Sequence, residues 1–138
     1  MNAKNMIKAL NTYSNNASDI ERMIVYAFIK KENIGYENSD MLNNYVSKLD
    51  GTLRDKAVEY FSKTDMMLSL DLIVELFEQI VPEGEKKERG IVYTPSEIKE
   101  YIISRVVKSN DVPTVIDLSC GCGAFLVTAA QYIHHRFD

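Results

Sequence analysis

The feature that most constrains this chain is a short run near its end: Val112-Pro113-Thr114-Val115-Ile116-Asp117-Leu118, then Ser119-Cys120-Gly121-Cys122-Gly123, then Ala124-Phe125-Leu126. Val115 and Ile116 lie in an apolar stretch too short for a helix, the small residues call for a tight turn, and Ala124 to His135 reads as an apolar helix. A strand that turns through glycines into a helix is the opening move of an open α/β sheet. The sequence runs only to Asp138, whereas a doubly wound domain needs several more strand and helix units before its core closes. The expectation is therefore an incomplete α/β unit.

Gly121 and Gly123 allow a sharp turn and a close backbone approach, and the helix that follows presents unpaired N–H groups and the positive end of its dipole. Such a turn suits a nucleotide-like ligand. A P-loop would need a lysine and a hydroxyl residue after the last glycine, where Ala124-Phe125 stand. A dinucleotide loop would need a third glycine where Leu126 stands. Cys120 and Cys122 with His134 or His135 match no usual zinc spacing, so no metal is expected. What remains is Asp117, whose carboxylate would repel phosphate but pair with an ammonium group, as S-adenosylmethionine carries on its methionine end. The structural alternative is an aspartate that bonds its own loop.

Upstream, residues 1–81 read as consecutive amphipathic helices, because their apolar residues recur at three and four rather than at two. Ser18 with Glu21 has capping-box spacing ahead of Ile20, Met23, Ile24, Ala27 and Phe28. A second helix would carry Met41, Leu42, Tyr45, Val46 and Leu49, with Gly51 as its breaker. Thr52 with Asp55 would then cap a third, bearing Leu53, Ala57, Val58 and Phe61. The clearest core stripe is Leu70, Ile73, Val74, Phe77 and Ile80. Residues 82–90, from Pro82 to Gly90, break the helix and are almost wholly charged, so they read as a linker.

The remaining unit, 91–138, opens with Tyr93-Thr94-Pro95. Here Thr94 is expected as N-cap, Pro95 at the first helical position and Glu97 reaching back to the cap. Its buried side is expected to be Ile98, Tyr101, Ile102 and Val106, and its end near Ser109-Asn110. The fold class is thus mainly α: an N-terminal helical bundle, then one strand-loop-helix unit.

Tyr93-Thr94-Pro95 followed by Asp117-Leu118-Ser119-Cys120-Gly121-Cys122-Gly123-Ala124-Phe125-Leu126 resembles the two signature segments of the amino-methylating DNA methyltransferases, in the adenine-N6 group of restriction-modification systems. The one departure within the core of the pattern is Leu118, where that family usually has proline. The resemblance covers about residues 85–138 and implies a Rossmann-like methyltransferase domain that uses S-adenosylmethionine. It implies a cofactor site made from Tyr93, Thr94, Pro95, Asp117, Ser119, Cys120, Gly121, Gly123 and Phe125, with Thr94 near the cofactor's carboxylate; Phe125 and Leu126 also suit packing the helix on the sheet. The helices upstream are similar in character to those that precede the catalytic domain in modification subunits.

Such enzymes flip an adenine out of the duplex and hold it with a Pro-Pro-aromatic segment. This chain has three prolines, Pro82, Pro95 and Pro113, none adjacent to another. The resemblance therefore implies the N-terminal part of a longer enzyme, inactive alone and with weak or no affinity for S-adenosylmethionine. Double-stranded DNA would be met by the full-length protein, possibly with a separate specificity or restriction subunit. The net charge of −4 offers no basic surface of its own. An alternative is a helical interaction or regulatory module with a vestigial cofactor loop.

With 46% hydrophobic and 26% charged residues, the chain is expected to fold. No apolar run approaches the roughly 20 residues of a membrane span, and Met1 to Leu10 lacks a signal-peptide core. The two cysteines are too close for an ordinary disulfide, so a cytoplasmic setting is expected. An unpaired strand over Val112–Leu118 would expose its edges, and self-association is expected from it.

Overall fold

The computed structural model describes residues 2–64, 68–89, 92–108 and 112–137. Among them there are eight helices and no strand: α1 (Ala3–Leu10), α2 (Ala17–Lys31), α3 (Asp40–Ser47), α4 (Gly51–Lys63), α5 (Leu70–Ile80), α6 (Glu83–Arg89), α7 (Ser96–Val106) and α8 (Ala124–Phe137). The chain divides into two compact units, Met1–Pro82 and Glu83–Asp138. None of the helices described is long and apolar enough to cross a membrane.

In the first unit α2 packs on α3, α4 and α5, and α1 packs on α5. The interior gathers Met6 and Leu10 of α1, Ile20, Met23 and Ile24 of α2, Ala57 and Phe61 of α4, and Leu72, Ile73 and Leu76 of α5. Each side chain of leucine, isoleucine or methionine size buried there contributes about 1.5–3 kcal/mol of hydrophobic stabilisation. α5 buries Ile73 and Val74 of the stripe its spacing suggested, but not the whole of it. Leu70 is exposed, Phe77 and Ile80 pack at the margin, and Leu72 and Leu76 go inside. The helix is apolar over more than one face, so the spacing alone could not select which one would turn inward.

Each helix of this unit begins with a polar side chain on an otherwise unpaired backbone N–H, which contributes about 1 kcal/mol per cap. Two of the caps sit two residues earlier than the sequence suggested. Asn16, not Ser18, caps α2, accepting from Ser18 N at 2.9 Å. Asp50, not Thr52, caps α4, accepting from Thr52 N at 2.9 Å, which makes Gly51 the first helical residue. Ser39 and Ser69 cap α3 and α5. Met41 is 77% exposed, while Val46 and Leu49 are buried, so α3 presents only its last turn and the residues after it to the core.

Arg54 closes the α3–α4 corner. Its guanidinium donates to the carbonyls of Val46, Ser47 and Leu49, at and just past the end of α3, and lies over the Tyr26 ring.

The second unit holds α6, α7 and α8, with α7 packed on α8. The charged segment expected as a linker is helical over Glu83–Arg89, since Pro82 precedes the helix and glutamate, lysine and arginine are good helix formers. On α7 the expected and observed inner faces differ. Ile103 and Val107 are buried against Ala129, Phe125, Tyr132 and Ile133 of α8, whereas Tyr101 is 60% and Val106 73% exposed. The helix carries two adjoining apolar stripes, and α8 covers the one that includes Ile103. Lys99 is buried on that side, where its methylene stem can pack against apolar neighbours. Gly90, Ile91, Ser109 and Asn110, used above to mark boundaries, lie outside the described residues.

Candidate cofactor site

α8 fixes the position of the glycine loop. Gly123 O accepts the first bond of the helix, from Val127 N at 2.9 Å, so the helix starts directly after Gly123. One residue earlier the chain folds back: Gly123 N donates to Cys120 O at 2.7 Å, closing a tight turn around Gly121 and Cys122. Gly121 and Gly123 both have positive φ, 54° and 80°, a region where a Cβ collides with its own backbone. A Cβ added at either would meet no other atom within 4 Å. Backbone conformation alone therefore requires glycine here, and the space beside both residues is open.

Asp117 is half-buried, and one of its carboxylate oxygens accepts from Ser119 N at 3.0 Å. That bond is the self-capping turn weighed as the structural alternative, and it also fixes the carboxylate at the mouth of the loop. Ser119, Cys120 and Gly121 are exposed, and Leu118, where the pattern usually has proline, is 97% exposed. Residues 112–117 have no regular secondary structure. A strand is defined by the ladder it makes with a neighbour, and no neighbour occurs among the described residues.

The N-terminal segment is arranged differently from its expected capping pattern. Pro95, not Thr94, occupies the N-cap position of α7, with φ −55° and ψ 148°, and no side chain bonds the first turn. Proline is held near that φ by its ring, so it can lead into the helix without a polar cap. The Thr94 hydroxyl is thus not used by a capping bond. The Tyr93 ring lies under the Lys86 ammonium, 5.4 Å from ring centre.

The α7–α8 pairing relates the two segments. Arg136, at the end of α8, donates to Val107 O at the end of α7 at 2.8 Å, so the C-terminal ends meet. Ile103 and Val107, in this part of the chain, share an apolar cluster with Phe125, Ala129, Tyr132 and Ile133 of α8. Phe125 is the exception among the candidate residues, because it packs into the α7–α8 core. Among the described residues no group of three or more His, Cys, Asp or Glu side chains comes together in a way that could hold a metal ion.

The segment is thus an exposed glycine turn at the start of α8 with a carboxylate before it. The profile of the N-6 DNA methylase family matches residues 68–138, just over half of the chain and inclusive of this loop, and the chain belongs to that family. No curated protein and no solved structure matches it. The match begins at Leu68, upstream of the segment on which the sequence resemblance rested, and so takes in α5 as well as the second unit.

Proposed function

We propose that this chain is the N-terminal part of a DNA adenine-N6 methyltransferase of restriction-modification type, and that Asp117 to Gly123 forms one half of its S-adenosylmethionine site. The observation that carries the reading is the loop itself, with two glycines at positive φ, open space beside them and Asp117 fixed at the mouth. Asp117 would receive the cofactor's ammonium group, Gly121 and Gly123 would give its methionine and ribose side access to the backbone, and Thr94 would face its carboxylate. The cofactor would supply a methyl group on a sulfonium, and transfer would go to the amino nitrogen of an adenine flipped from duplex DNA. The strand of a Rossmann-like unit would be Val112–Leu118, once paired.

These 138 residues have no adjacent prolines, and hence no Pro-Pro-aromatic segment to hold the base. Alone they are inactive and bind S-adenosylmethionine weakly or not at all. DNA, and a specificity or restriction subunit, would be engaged by the full-length protein in the cytoplasm. The test compares the 138-residue chain with the complete open reading frame on duplex DNA and tritiated S-adenosylmethionine. Label on adenine N6 only with the longer protein is the expected result, and Asp117→Ala in that protein should raise the cofactor Kd at least tenfold, the loss of about 1.4 kcal/mol expected for a charge-assisted bond. Methylation by the short chain, or unchanged affinity in the variant, would count against the reading.

A further inference from the structure

Cys120 and Cys122 are the only cysteines in the chain, and both sit in the turn that the cofactor reading places against the ligand. That reading gives the Cys122 thiol no part. Cys120 is exposed and Cys122 half-buried, and they flank Gly121. In an extended chain two residues apart, their Cα atoms would stand about 7 Å from each other, beyond the reach of a disulfide. Here the bond from Gly123 N to Cys120 O folds the segment back, with Gly121 at φ 54°, and shortens that separation. No atom lies within 4 Å of a Cβ built at Gly121, so the turn has room to adjust as a bond forms.

We propose that Cys120 and Cys122 are a redox modification site, closed reversibly into a Cys120–Cys122 disulfide by a low-molecular-weight disulfide of the glutathione type. The exposed Cys120 thiolate attacks one sulfur of that disulfide, forming a mixed disulfide and releasing one small thiol. The Cys122 thiolate then attacks Cys120 Sγ, forming the internal bond and releasing the second small thiol. Two protein thiols are oxidised and one small disulfide is reduced to two thiols, which carry away the two protons. A bond across one residue is strained and so easily reduced, which makes the modification reversible. Closure ties the backbone on both sides of Gly121, and its effect on ligand binding rests on the cofactor reading given above.

The experiment equilibrates the full chain with a series of oxidised-to-reduced glutathione ratios, blocks remaining thiols with N-ethylmaleimide and weighs the products, both folded and in urea. The folded chain should lose both maleimide adducts together with two hydrogens, recover them in dithiothreitol, and close at a several-fold lower ratio than the chain in urea. Cys122→Ser should stop at a glutathione adduct on Cys120. A wild-type chain that stops at the mixed disulfide, that links into dimers through its thiols, or that closes no more readily folded than in urea overturns the proposal. Failure of the cofactor reading would show separately, as no S-adenosylmethionine binding by the reduced full-length protein, and would leave the thiol result standing.

Discussion

At the residue scale, glycines separate by backbone conformation rather than by the space around them. Gly51 and Gly123 each leave an added Cβ free of contacts within 4 Å, but Gly51 lies in the first turn of α4 and Gly123 has φ 80°. Gly123→Ala should destabilise the second unit by about 1–2 kcal/mol, the cost of a left-handed residue with a Cβ. Gly51→Ala should stabilise the first by about 0.4–1 kcal/mol, by restricting the unfolded chain. Urea denaturation followed by circular dichroism measures both, and equal effects would refute the distinction. The need for glycine in the loop could be read from Cys120-Gly121-Cys122-Gly123. Gly51 was misread as a breaker, because the sequence does not show that Asp50 would supply the cap and let the helix start on the glycine. The same holds at Ser18, where several polar residues stand near the helix start and only the fold selects which oxygen meets the N–H; at α7 no side-chain cap bond forms, so Thr94 has no such role.

At the scale of the element, α4 is held at both ends by charge. Backbone N–H groups, chiefly that of Thr52, hold the Asp50 carboxyl below the usual carboxylate range, and a hydrogen bond from Lys63 does the same for Glu59. The Lys63 ammonium is correspondingly raised by Glu59. A carboxylate depressed on folding adds stability that is present above its unfolded pKa, about 4, and is lost as pH falls through the folded value. Lysine works the other way, with a contribution that disappears as pH rises through its raised value. The helix should therefore lose support below about pH 4. In Asp50→Asn, which keeps a cap but removes its titration, the urea midpoint should fall less between pH 5 and 3 than in the parent. An identical decline would mean that Asp50 is not a contributor. Helix number is less legible than helix character: the charge of Glu83–Arg89 suggests a linker although glutamate, lysine and arginine favour the helix it forms, and α7 is apolar on two stripes, so its spacing does not select the inner one. The sequence could not reveal that α8 would cover Ile103 and leave Ile102.

At the scale of the molecule, the two units differ in how completely they bury their apolar residues. The first encloses side chains from α1, α2, α4 and α5, whereas in the second only Ile103, Val107 and Ala129 are buried apolar residues among those described, beside an apolar groove of about 340 Å³ lined by Val106, Pro113, Val115 and Ile116. We expect copies of the 138-residue chain to associate through that face, since burying apolar area is the dominant favourable term in association. Sedimentation velocity should show mass rising with concentration, and Val106→Lys, at a side chain already exposed, should shift it toward monomer without loss of helix. A parent chain that stays monomeric at high concentration would contradict this. The link from Arg136 to Val107 O also bears on synthesis. The first unit closes on residues 1–82, yet the last turn of α7 lacks that partner until Arg136 is made. At about 5–20 residues per second the ribosome takes roughly 1.5–6 s to add the stretch between them, so the finishing contact of α7, like the docking of α1 on α5, is paced by translation.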